Sequence, residues 1–151
     1  MKTRYHIMIY ILLFPFIWYR SEMCYYDGCP WYNHISYMFS HSSFIHYALN
    51  GVAWIVLFRM TTWGTLFMAI LTGSLAGYII PVPDHTVGWS AVIFYYYGIA
   101  FRIMKRESRI KMLLLIVISF MIPGISSLLH LYMLANGYVL QLIRMKWKRT
   151  L

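Results

Sequence analysis

The chain has 151 residues, 61% of them hydrophobic and 11% charged, with a formal net charge of +9. Domains run ~100–200 residues, so 1–151 is expected to form one unit. A soluble domain carries about 25% charged residues, and a water-soluble core would leave this much apolar side chain as a large exposed patch. The composition therefore argues against a soluble globular protein, a disordered chain or a coiled coil. A charge of +9 suggests a nucleic-acid partner only when the cations form a patch. Here they sit at the ends of apolar runs, as they do in membrane proteins, and no nucleic-acid partner is expected.

Tyr5 to Tyr19, Asn33 to Phe58, Met60 to Pro83, His85 to Phe101 and Met112 to Ile143 contain no Asp, Glu, Lys or Arg. A span needs ~20 apolar residues, with ~17 as the lower limit. The last run is too long for one span, and Pro123-Gly124 divides it. Six transmembrane helices are predicted, at 5–19, 35–58, 62–80, 88–102, 108–122 and 127–144, in an all-α bundle. With both termini cytoplasmic, twelve Lys and Arg fall inside and Arg20 alone outside, as positive-inside orientation requires. The expected location is multi-pass, in the cell (inner) membrane. Trp18, Tyr19, Arg20, Ser21 and Glu22 supply no small-residue cleavage site, so the first helix is expected to be retained.

Cys24 and Cys29 fall in the first outer loop, where a disulfide and two thiols are both open. Two Cys with His34 lack a fourth ligand, so no metal site and no cofactor are expected. Trp31, Tyr25, Tyr26 and Tyr32 suit an interfacial aromatic belt. Gly73 and Gly77 form a small-xxx-small packing face.

Polar groups inside apolar segments are costly and therefore informative. His46 and Asn50 are four apart, on one face of a helix. His41, five before His46, falls about 140° away around the axis at ~100° per residue. Ser90 follows Gly88-Trp89, and His130 lies near the start of the last segment. The topology puts His41, His46, Ser90 and His130 toward the same outer side. Singly, each such residue most often packs helices together. Jointly they place a hydroxyl, an imidazole and a His/Asn pair at one depth on three helices.

His41-Ser42-Ser43-Phe44-Ile45-His46-Tyr47-Ala48-Leu49-Asn50, Gly88-Trp89-Ser90-Ala91 and His130-Leu131-Tyr132-Met133-Leu134-Ala135-Asn136-Gly137 together resemble the motifs of the rhomboid intramembrane serine proteases, over roughly Ile35 to Leu140. Ala91 and Met133 stand where that family usually has Gly. The resemblance implies a serine endopeptidase that cleaves transmembrane segments of other membrane proteins within the lipid bilayer. Ser90 would be the nucleophile and His130 the base, with His46 and Asn50 as oxyanion donors beside the Ser90 N–H. Gly88, Phe94 and His41 would support them, Phe94 by stacking on the His130 ring. None of Glu22, Asp27, Asp84 and Glu107 lies in an apolar segment, so a dyad is expected rather than a triad. Pro123-Gly124 with Ser126 and Ser127 is a candidate gate. A catalytically inactive rhomboid-like pseudoprotease that binds transmembrane clients is the alternative. A small transporter would need charged residues along a midplane path, and none is present there. Oligomeric state is not legible.

Overall fold

A computed structural model describes residues 3–12, 20–80, 85–121 and 125–150. Among the described residues the chain forms eight α-helices: α1 (Thr3–Leu12), α2 (Arg20–Met23), α3 (Asn33–Ser36), α4 (Phe44–Leu57), α5 (Trp63–Ala76), α6 (Ser90–Ala100), α7 (Arg106–Ser119) and α8 (Ser127–Thr150). Short 3-10 turns follow α3 at Tyr37–Phe39 and α4 at Phe58–Met60.

Hydroxyl side chains set several helix starts, because the first N–H groups of a helix have no partner within it. Ser43 Oγ accepts from the His46 N–H at 3.1 Å at the start of α4. Thr62 and Thr65 form a reciprocal capping box at the start of α5. The long apolar run ahead of the Ser43 cap is interrupted. The 35–58 segment is not one helix: Ser40 turns extended, and helix resumes only at Phe44. His41 therefore lies in the connection before α4 and not on the helix that carries His46.

The expected six-span membrane bundle is overturned. Among the described residues no helix is long and apolar enough to cross a membrane. At 1.5 Å per residue, the 14-residue helices α4, α5 and α7 rise ~21 Å and the 11-residue α6 ~17 Å, against a hydrocarbon core of ~30 Å. Helix α8 has 24 residues, but its second half carries Arg144, Lys146, Lys148 and Arg149. The transmembrane-helix description, the multi-pass membrane location and the two cytoplasmic termini built on it are withdrawn with the bundle. Of the first expected span, α1 ends at Leu12, and 13–19 lies outside the described residues.

Helix α6 is the centre of the fold. Ala91 to Tyr96, Gly98, Ile99 and Ala100 are all buried, and α6 packs against α4, α5 and, most extensively, α8. Trp54 of α4 meets Trp89 and Tyr96 edge-on at 5.5 and 5.6 Å, and the Tyr96 hydroxyl donates to Thr65 Oγ1 at 3.1 Å. Tyr10 of α1 and Tyr47 of α4 stack at 4.6 Å and exchange hydroxyl-to-carbonyl hydrogen bonds. The strand-like segment before α6 is pinned from two directions. Tyr25 and Thr86 exchange backbone bonds of 2.9 and 2.8 Å, and the Gly88 N–H donates to the Tyr37 carbonyl at 2.8 Å. Outward faces remain apolar, with Leu49, Val52, Ile55 and Val56 of α4 and Leu114, Leu115, Val117 and Ile118 of α7 exposed.

Candidate active site

Three helices bring their N-terminal turns to one place. Ser90 is the first residue of α6, His130 the fourth of α8 and His46 the third of α4. Helix N-termini carry unpaired N–H groups and the positive end of the helix dipole. The place where they meet favours developing negative charge and disfavours a protonated imidazole.

His130 Nε2 lies 2.9 Å from Ser90 Oγ. Phe94, one turn after Ser90 on the same face of α6, stacks on the His130 ring at 4.2 Å and 16°. His130 Nδ1 has no hydrogen-bond partner among the described residues, so the stacked ring, not a carboxylate, holds the imidazole in line. Burial, and secondarily His46, pushes the His130 pKa down to about 4. The ring is therefore neutral at pH 7, with an Nε2 lone pair available for the Ser90 proton.

Gly88 has φ +129°, a conformation that side chains rarely adopt. A Cβ there would lie 2.7 Å from His46 Cε1, 2.9 Å from His46 Nε2 and 3.5 Å from Ser90 Oγ. The missing side chain is what lets the His46 ring edge reach the neighbourhood of Ser90. Ser42 Oγ sits 3.0 Å from His46 Nδ1. With the hydroxyl donating to Nδ1, the ring proton is on Nε2 and faces the site.

Asn50 lies one turn beyond His46 and one turn before Trp54, on the face of α4 that meets Trp89. It is buried, and its Nδ2 has no hydrogen-bond partner among the described residues. A buried unsatisfied donor costs about 1–3 kcal/mol, so this amide holds an N–H for a partner that appears only during reaction.

His41 lies behind these groups. It is fully buried, and its Nε2 accepts from the Trp89 N–H at 3.5 Å. Its ring meets His46 edge-on at 5.3 Å. Burial first, and His46 second, push its pKa down to about 3. It contacts the backbone next to the nucleophile, not the nucleophile.

The fold thus brings Ser90, His130, Phe94, Gly88 and His46 together, leaves Asn50 buried one turn further along α4 and keeps His41 one layer back. Sequence reasoning missed Ser42, four before His46 and readable from that spacing. It missed Gly98 and Ser119, and it read Ser127 as part of a candidate gate, whereas Ser127 is the buried first residue of α8 and its hydroxyl pairs with that of Ser119 at 2.7 Å. That pair ties the end of α7 to the start of α8, three residues before His130. Met133 is fully buried, and the close approach of α6 and α8 falls at Gly98 and Gly137 instead. Pro123 and Gly124 lie outside the described residues. Cys24 and Cys29 are both thiols, and Cys24 Sγ donates to the Ser21 carbonyl at 3.3 Å.

No protein-family model, no curated protein and no solved structure matches the chain. Together with the lack of a membrane-length helix among the described residues, this overturns the rhomboid resemblance as a statement of family: three short polar motifs coincide, and the wider chain does not follow.

Proposed function

We propose that this protein is a serine endopeptidase that works through a Ser90–His130 dyad. The observation that carries the reading is the 2.9 Å approach of His130 Nε2 to Ser90 Oγ, with Phe94 stacked on the imidazole. Ser90 Oγ attacks a peptide carbonyl carbon while its proton passes to His130 Nε2. The oxygen that becomes negative is met by the Ser90 N–H at the head of α6, the His46 Nε2–H and the Asn50 Nδ2–H. The intermediate collapses, the C–N bond breaks, and His130 returns the proton to the leaving amine. Water, deprotonated by His130, then hydrolyses the Ser90 ester.

The proposed substrates are apolar segments, including transmembrane segments of other proteins, met at the lipid bilayer. The exposed apolar faces of α4 and α7 support this choice, because contiguous apolar surface marks a binding partner.

The test is covalent labelling with a fluorophosphonate probe, run beside cleavage of a model transmembrane substrate. Labelling and cutting in the parent chain, both lost in Ser90→Ala, support the reading. A parent chain that binds the substrate but neither labels nor cuts identifies a client-binding protein instead.

A further inference from the structure

Past the C-terminal end of α6, at the opposite end of that helix from Ser90, Phe101 and the α8 residues Leu134, Ala135 and Tyr138 line an apolar groove of about 190 Å³. A charge lies against one lining ring. The Arg109 guanidinium of α7 lies 5.8 Å from the Phe101 ring centroid, and Tyr138 braces the same ring edge-on at 5.8 Å and 82°. A guanidinium over a ring face gains attraction without using its N–H donors. Arg109 Nε is buried and has no hydrogen-bond partner among the described residues. An apolar slot with a cation against one of its lining rings is complementary to an anionic amphiphile: alkyl chain in the slot, anion on the guanidinium.

The size of the anion can be argued as well. Arg102, Lys105 and Arg106 are exposed within seven residues of Arg109, Ile103 is exposed among them and Ile110 just after Arg109. One carboxylate would engage Arg109 alone. A phosphodiester headgroup with two chains uses the fork of Arg109, the flanking cations and the outer isoleucines together. We infer that the groove at Phe101, Leu134, Ala135 and Tyr138, with Arg109 against the Phe101 ring, binds an anionic phospholipid.

This site is separate from the dyad, and its test does not use peptidase activity. The full chain in a non-ionic detergent is titrated with dioleoyl phosphatidylglycerol, dioleoyl phosphatidylcholine and oleate, and lipid adducts are counted by native mass spectrometry. Phosphatidylglycerol is expected to bind at least tenfold more tightly than either competitor. Arg109→Gln, which removes the charge, and Ala135→Trp, which fills the groove, are each expected to weaken it at least tenfold, while Arg109→Lys retains part of the preference. Should Ala135→Trp not fold, the two Arg109 variants decide. Equal binding of phosphatidylglycerol and phosphatidylcholine, or phosphatidylglycerol binding unchanged in Arg109→Gln, overturns the site. Oleate binding as tightly as phosphatidylglycerol overturns the phospholipid assignment.

Discussion

Gly98 on α6 and Gly137 on α8 meet backbone to backbone: a Cβ on Gly98 would lie 3.0 Å from the Gly137 Cα and 2.8 Å from the Tyr138 backbone nitrogen. A Cβ on Gly137 would in turn overlap the Tyr95 carbonyl oxygen. The helices that carry Ser90 and His130 are therefore set at their spacing by two absent side chains, two turns below the dyad.

Gly137→Ala is expected to force these helices apart, because the clash is with backbone and no rotamer relieves it. Overpacking costs typically 1–3 kcal/mol, and this contact belongs at the upper end or beyond. Thermal unfolding of the purified protein should show the loss, and fluorophosphonate labelling of Ser90 should fall with it. Parent-like stability and labelling in Gly137→Ala would show that α6 and α8 do not approach this closely.

His130→Ala and Asn50→Ala should separate base from oxyanion donor. Loss of nucleophile or base in a serine hydrolase costs on the order of 10⁶ in rate, so His130→Ala should match Ser90→Ala. Asn50 would share the developing charge with His46 and the Ser90 N–H, and its removal should cost about 10²–10³, chiefly in kcat. Single-turnover cleavage measures both. Full activity in His130→Ala would refute the dyad.

Gly88→Ala tests a different contact. The added Cβ would sit 2.7 Å from the His46 ring in a backbone conformation of φ +129°. His46 must then withdraw from Ser90, or the segment before α6 must shift. A drop in kcat of at least 10²-fold is expected, with His130 still able to activate Ser90 toward the small fluorophosphonate. Unchanged kcat would remove His46 from the oxyanion site.

The pH dependence follows from the buried imidazoles. His130 acts as a base only when neutral, and its pKa is lowered from 6.5 to about 4. The acid limb of kcat/KM should therefore fall near pH 4, not near 6.5. Stability should move in the same direction. The folded-state pKa values of His130 and His41, about 4 and about 3, lie below the unfolded value of 6.5, so the unfolded chain takes up protons first. Their contribution is complete above pH 6.5 and is lost as pH falls from there toward 4 and 3. An acid limb at pH 6.5 in kcat/KM would place the His130 ring in water.

What the sequence determined by itself was local. His46 and Asn50 share a face of α4, and Ser90 and Phe94 share a face of α6, because 3.6 residues per turn sets those spacings whatever surrounds the helix. Apolar composition was a poorer guide to helix length. Hydrophobicity reports what a segment prefers to touch, whereas Ser43 and Thr62 start helices by accepting backbone N–H groups on their hydroxyls, which a hydropathy run does not register. A 26-residue uncharged stretch thus became two helices and a turn, which removed the membrane spans and took His41 off the helix of His46. Only the tertiary structure decided which helix faces meet. The 2.9 Å contact between Ser90 and His130 depends on Gly98 and Gly137, residues whose part lies in side chains they lack, and on the tie between Ser119 and Ser127. Distances along a helix are set by covalent geometry, but distances between helices are set by the packing of all the groups between them, and one sequence does not state that packing residue by residue.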